Sequence, residues 1–301
     1  MFPAKLLLFG EYTLFHGSMA LSAPFSRMKG EFDFASPCTN EAEISNVQLK
    51  GFLNYIEEVH DALPYDIDTE KFRLELQQGL YFKSNIPEGY GVGSSGALVA
   101  EIYAQYATSP LKPRCGNIEL SLLRNQLSVL ENYFHGTSSG NDPLVCYSQW
   151  TILTREDQTI TRLRGDRLHL PMIKLFLADT KSFRNTKVNV DRFHQLMAQP
   201  SYKEGFYSKV IPAVNCCTMS YMGVRAELME QLKNLSQLTL EYFRDMIPEP
   251  FIEHFIHGIQ YDKFALKLCG GGGGGFMLGF TQNMEQTKEY FSMFDVPIIE
   301  I

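Results

Sequence analysis

The chain has 301 residues, 45% of them hydrophobic and 20% charged, with a formal net charge of −7. Its 23 glycines and 14 prolines are ordinary levels that exclude collagen-like and low-complexity chains, and the 13% aromatic content supplies core material that a disordered chain lacks. The negative balance excludes a protein that coats nucleic acid, because phosphate contacts need clustered Lys and Arg.

The length predicts one large domain or two modest ones. Near the amino terminus the apolar run at residues 6–9 is broken by Gly10 and Glu11. It is too short to span a bilayer, and no small-residue cleavage site follows it, so neither a membrane span nor a signal peptide is expected. Residues 5–9 and 20–34 predict strands, the second by alternation around Phe25, Phe32 and Phe34. Residues 45–63 carry Val47, Phe52, Ile56, Val59 and Leu63 at helical spacing. Phe72, Leu74 and Leu76 alternate as in a strand, and Gly79 turns into a second run at 80–82.

Residues 95–107 return to helical spacing. Residues 118–134 predict the clearest helix of the first half, with Leu120, Leu123, Leu127, Leu130 and Phe134 along one face. Beyond Pro143 come strand-like runs at 146–153 and 160–163, then a strand at 173–178. Residues 187–266 read as mostly helical, followed by six glycines, a strand at 276–280, a helix and a closing run at 296–301. The turn-rich stretch 164–171 is the expected boundary, giving domains 1–167 and 168–301. The six cysteines (Cys38, Cys115, Cys146, Cys216, Cys217 and Cys269) show no zinc-ligand spacing and are expected to be buried thiols in a reducing cytoplasm.

Residues 84–97 read SNIPEGYGVGSSGA and lead from a strand into a helix. Glycines at 89, 91, 93 and 96 permit positive φ and close approach of a ligand. The following helix offers unpaired N–H groups and a positive dipole end, so the segment predicts an anion site with phosphate as its tenant. A Walker A loop is excluded by the missing lysine, and a Rossmann turn by its glycine spacing. Alone, the loop is equally compatible with a tight strand-to-helix turn. Residues 131–142 read ENYFHGTSSGND. Glu131 borders the apolar face of its helix, where a carboxylate needs a cation or hydrogen-bond donors. His135 follows at i+4, and the chain breaks through 136–140 to deliver Asp142. Alone, this segment reads as a helix end capped by Gly136.

Lys5 enters a buried strand, either snorkelling or supplying positive charge for chemistry. The six glycines at 270–275 carry a large entropic cost on ordering. A backbone pressed against a ligand or the other domain accounts for them better than a linker does.

Together, PAKLLLFGEYTLFHGSMAL, PEGYGVGSSGA and KLCGGGGGGFML resemble, in order and spacing, the three motifs of the GHMP kinase family across almost the whole chain. Within the family the mevalonate kinases look closest. Glu131, His135 and Asp142 reproduce the spacing of their E-x-x-x-HGxPSGxD segment, and residues 175–190 resemble the stretch carrying TxxPRxT. The resemblance implies a two-domain α+β fold, with a ribosomal-protein-like βαβ domain followed by a ferredoxin-like one and ATP between them.

It further implies an ATP- and Mg²⁺-dependent kinase acting on a small-molecule alcohol, with mevalonate first and phosphomevalonate, homoserine or a sugar as alternatives. Pro87, Gly89, Gly91, Gly93, Ser94, Ser95, Gly96 and Ala97 would bind the nucleotide phosphates, and Ser95 and Glu131 would hold Mg²⁺. Asp142 would accept or orient the substrate hydroxyl, with Lys5 beside it. Glu11, Tyr12, His16, Thr186, Gly272 and Gly273 would lie at the acceptor. The chain departs from the mevalonate-kinase pattern at Tyr12, Leu98, Thr137, Ser138 and Pro143, which leaves the acceptor open. A kinase-like metabolite or nucleotide sensor and a related diphosphate decarboxylase are the competing readings. No nucleic-acid or membrane partner is expected, and a homodimer is carried as an open expectation.

Overall fold

The structure, a computed structural model, describes residues 1–35, 39–112, 116–164, 167–182 and 186–301, without the side chains of Asn117, Thr186 and Lys187. Cys38 and Cys115 lie outside the described residues.

In the first half, β1 (Phe2–Phe9) and the long β2 (Ala20–Phe34) pair antiparallel. The remaining strands of this sheet are β3 (Leu80–Ser84), β4 (Thr151–Thr154) and β5 (Ile160–Leu163). The order is β1-β2-β4-β5, with β3 pairing the far end of β2. Helices α1 (Asn40–Glu58) and α2 (Thr69–Gln77) pack by β3. Helices α3 (Ser94–Tyr106), α4 (Asn117–His135) and α5 (Asn141–Ser148) pack together, and α3 and α5 lie on β1 and β2.

In the second half, β6 (Lys174–Asp179), β7 (Ala265–Leu268), β8 (Phe276–Thr281) and β9 (Ile298–Glu300) form an antiparallel sheet of order β7-β8-β6-β9. Its helices are α6 (Thr186–Met197), α7 (Pro200–Gly205), α8 (Ile211–Gly223), α9 (Leu228–Tyr242), α10 (Glu249–Gln260) and α11 (Met284–Ser292). A π-helical turn, Phe206–Val210, joins α7 to α8. One continuous apolar core runs through both halves, from Leu6 and Phe25 to Phe176 and Phe280.

Three elements differ from the sequence expectation. Residues 69–77 are helical: the Asp68 carboxylate accepts from the Lys71 N–H at 2.9 Å, and Phe72 and Leu76, one turn apart, are buried while Leu74 is exposed. The alternation was real in the letters, but only two of its three members face the core. Residues 141–148 form α5 rather than the start of a strand. Every residue from Pro143 to Ser148 is buried, so neither a two-residue nor a helical period could show. The six glycines connect two strands, β7 and β8, because the expected helix stops at Gln260. Cys146, Cys217 and Cys269 are buried thiols, whereas Cys216 is exposed.

Candidate active site

By strand order β1 is an edge, and the phosphate-loop candidate takes up that edge: the Lys5 N–H donates to the Val92 carbonyl at 2.9 Å. Residue 5 is therefore fixed beside the start of α3. Gly93 caps α3 in the left-handed region, at φ +82°, and a Cβ there would stand 2.7 Å from Lys5 Cγ. No other residue type fits this position without moving the lysine. Gly96, one turn into α3, faces the Asp142–Pro143 peptide at 3.0 Å from a virtual Cβ, which lets α3 and α5 approach closely. Gly140, also left-handed, turns the chain from the loop after α4 into α5, and Asp142 lands in its first turn.

The result is an ion pair between Lys5 Nζ and Asp142 Oδ2 at 2.7 Å, with the lysine almost wholly buried and the aspartate partly open. Burial works to lower the Lys5 pKa, but the charge of Asp142 and the hydrogen bond to it prevail and hold the ammonium above its ordinary value.

Glu131 is 3% exposed. Its carboxylate accepts from the Ser138 hydroxyl and, at 3.3 Å, from Ser95 Oγ, which also lies 3.1 Å from His135 Nε2. Burial, followed by repulsion from Asp142, pushes the Glu131 carboxyl up to about 8. Ser95 and Glu131, expected from the sequence as a pair, are thus adjacent. Ser138 was marked in the sequence only as a departure from the mevalonate-kinase pattern, with no signal for this contact.

These groups line one cleft of about 1300 Å³ that also reaches Gly89, Gly91, Ser94, Leu98, Gly270 and Gly271. Pro87 lies half-buried in the loop leading to it, and Ala97 is buried in α3. Among the described residues no three His, Cys, Asp or Glu side chains cluster to hold a metal by themselves. A hydroxyl and one buried carboxylate beside a glycine-lined loop and the start of a helix fit Mg²⁺, which takes one or two protein oxygens and fills the rest with phosphate and water. The site therefore suits a metal that arrives with a nucleotide.

The acceptor candidates divide. Tyr12 adopts φ +60° and donates its hydroxyl to the Gly271 carbonyl at 2.7 Å, with its ring 4.7 Å from that of Phe193. His16 lines the same end of the cleft and bonds Tyr207 through Nδ1 at 3.0 Å. Burial first, then the nearby His194 and Lys203, lower its pKa.

Glu11 lines the cleft but is ion-paired with Lys267, and burial raises its carboxyl pKa against the pull of that partner. Gly272 and Gly273 face away from the cleft, toward Met246 and Asn189. Asn189 donates to the Gly271 and Gly272 carbonyls at 3.0 and 2.8 Å. Thr186 begins α6, with its side chain outside the described residues. Neither Lys267, 256 residues from Glu11, nor Asn189 carried any sequence signal for these contacts.

No protein-family model matches the chain. A mevalonate kinase of Arabidopsis thaliana is 23% identical over 92% of this chain and 88% of its own length. Among solved structures, L. major mevalonate kinase in complex with R-mevalonate superposes with a TM-score of 0.62 at 17% identity, covering 96% of this chain and 89% of that one. Streptococcus pneumoniae phosphomevalonate kinase in complex with phosphomevalonate and AMPPNP gives 0.63 at 15%, over 100% and 98%. The chain has the GHMP-kinase fold. In sequence it resembles mevalonate kinase, at an identity that leaves the acceptor open among the members of that fold. Within the GHMP-kinase fold of this chain, Lys5, the 87–97 loop, Glu131 and Asp142 converge on a single cleft.

Proposed function

We propose that the chain is an ATP-dependent kinase that transfers the γ-phosphoryl group to a small-molecule alcohol, with mevalonate as first candidate. The observation that carries this reading is the 2.7 Å Lys5–Asp142 pair at the end of a glycine loop that also brings Ser95 to Glu131. Phosphoryl transfer needs positioning and charge neutralisation more than covalent chemistry, and these groups supply both.

The loop N–H groups and the start of α3 bind nucleotide phosphates. Ser95 and Glu131 hold Mg²⁺, which when bound neutralises phosphate charge. Asp142 accepts a hydrogen bond from the acceptor hydroxyl and takes its proton as the new bond forms. Lys5 keeps Asp142 oriented and presents positive charge to the phosphoryl oxygens. Residues 1–167 and 168–301 act as the two walls, with the chain crossing between them near residues 164–171. Tyr12 and Leu98 shape the acceptor end, where the mevalonate-kinase pattern is altered.

ADP release measured against mevalonate, phosphomevalonate, homoserine and sugars tests the proposal. Turnover on at least one of them is expected. ATP binding with no turnover on any would favour the metabolite-sensor reading instead. Light scattering on the same sample checks the homodimer.

A further inference from the structure

The glycine run at 270–275 is held on the side away from the cleft. Asn189, early in α6, is 8% exposed and donates through Nδ2 to two successive carbonyls, Gly271 at 3.0 Å and Gly272 at 2.8 Å. Both partners are oxygens, so only the NH₂ end of the carboxamide can face them. The two carbonyls reach one side because the backbone is left-handed at Gly272 (φ +65°) and Gly273 (φ +81°). A Cβ at Gly273 would fall on the Asn189 amide. The Gly273 N–H is taken by the Met246 carbonyl at 2.6 Å. So fixed, the run presents Gly270 and Gly271 as cleft wall.

The same helix reaches Tyr12. Phe193, one turn beyond Asn189 and 3% exposed, places its ring 4.7 Å from that of Tyr12, and Phe243 stacks on Tyr12 at 5.4 Å. The Tyr12 hydroxyl donates at 2.7 Å to the Gly271 carbonyl, the oxygen that Asn189 also binds. Two donors saturate the two lone pairs of this carbonyl, so it has nothing left for a ligand. Its effect is to fix Tyr12, whose φ of +60° a residue other than glycine keeps only where its surroundings hold it. Tyr12 and Gly271 line the cleft, whereas Asn189 does not.

We propose that Asn189 is a positioning residue for the phosphoryl acceptor: through the Gly271 carbonyl it sets where Tyr12 and the glycine wall stand, and so how the acceptor hydroxyl is held toward Asp142. The inference rests on the kinase reading of the cleft. Transfer to an alcohol depends on placing that hydroxyl closely, and a displacement of about 1 Å from a change remote from the chemistry can cost about 10²-fold. Asn189 acts on the acceptor alone, because the wall it fixes is shared with Tyr12 and not with Ser95 or Glu131.

The test compares Asn189→Asp, which keeps the shape but sets an oxygen against both carbonyls, with Asn189→Ala and Tyr12→Phe. With the acceptor that turns over, each Asn189 variant should raise the acceptor KM at least about tenfold, with a smaller change in kcat and an unchanged ATP Kd. Asn189→Ala combined with Tyr12→Phe should raise KM by less than the product of the single effects, because both donors serve one oxygen. A loss confined to stability, with KM within about twofold of wild type, overturns the proposal, as does a double variant whose effects simply multiply. Hydrogen exchange read by mass spectrometry needs no substrate. Asn189→Ala should speed exchange in peptides covering residues 10–17 and 268–275 while α3 and α9 keep their rates, and unchanged exchange there also overturns the proposal. Wild-type protein that turns over no acceptor defeats the kinase reading instead, and the exchange comparison still decides whether Asn189 holds this wall.

Discussion

Glu131 is the residue whose chemistry is most exposed to measurement. Its carboxyl is pushed from 4.5 up to about 8, burial being the first cause. The folded chain therefore retains a proton that the unfolded chain releases. The associated stability is complete below pH 4.5 and is lost as the pH rises toward 8. Urea titrations of metal-free protein across this window are expected to show that decline, and Glu131→Gln to flatten it. If Glu131 holds Mg²⁺ as proposed, Mg²⁺ with nucleotide competes with the proton for the same carboxylate, and its stabilising effect is expected to grow toward the upper end. Glu131 was legible in the sequence because a carboxylate bordering an apolar helix face is anomalous. Ser138, which donates to it, stood out only as a departure from the mevalonate-kinase pattern, because serine in a glycine-rich turn is commonplace and carries no signal for this contact.

Among elements, the loop between β3 and α3 makes a graded prediction. Gly93→Ala drives a methyl group into the Lys5 stem at a left-handed position, whereas Gly89→Ala meets open space and carries only the backbone strain. Gly93→Ala should lose about 1–3 kcal/mol of stability and much of kcat, and Gly89→Ala about 1 kcal/mol. Equal kcat values for the two variants would contradict the role given to the Lys5 contact.

The N-cap of α2 gives a control far from the chemistry. Asp68→Ala should cost about 1 kcal/mol in urea unfolding and leave turnover unchanged. Strands β1 and β2, helices α3 and α4 and the glycine turn that leads into α3 were readable because their periods and glycine spacing are local facts. Helices α2 and α5 were not. One presented an accidental alternation, and the other is buried at every residue but Asp142 and has no apolar face to reveal.

At the scale of the whole molecule, the two halves are joined beneath the cleft by a buried ion pair. Lys267 Nζ, at the end of β7, meets Glu11 just past β1 and also donates to the Leu268 carbonyl at 2.8 Å and the Leu7 carbonyl at 3.3 Å. The glycine run that follows lies against the loop before α3, where the Phe276 N–H donates to the Tyr90 carbonyl at 3.3 Å. The six glycines let backbone meet backbone between the halves, the alternative that the sequence favoured over a linker.

Lys267→Met leaves Glu11 buried and unpaired and should cost about 3–5 kcal/mol. Glu11→Leu combined with Lys267→Met should recover most of that loss in urea unfolding, because burying a paired charge is itself expensive. Additive losses in the double variant would mean that the two residues act separately.

The central claim, that Asp142 handles the acceptor hydroxyl during phosphoryl transfer, rests on its pairing with Lys5 in the cleft. Asp142→Asn keeps the shape and removes the base. With the acceptor that turns over, kcat should fall by about 10²–10⁴-fold while the ATP Kd, measured by titration on the same protein, changes little. A variant with near wild-type kcat would contradict the account.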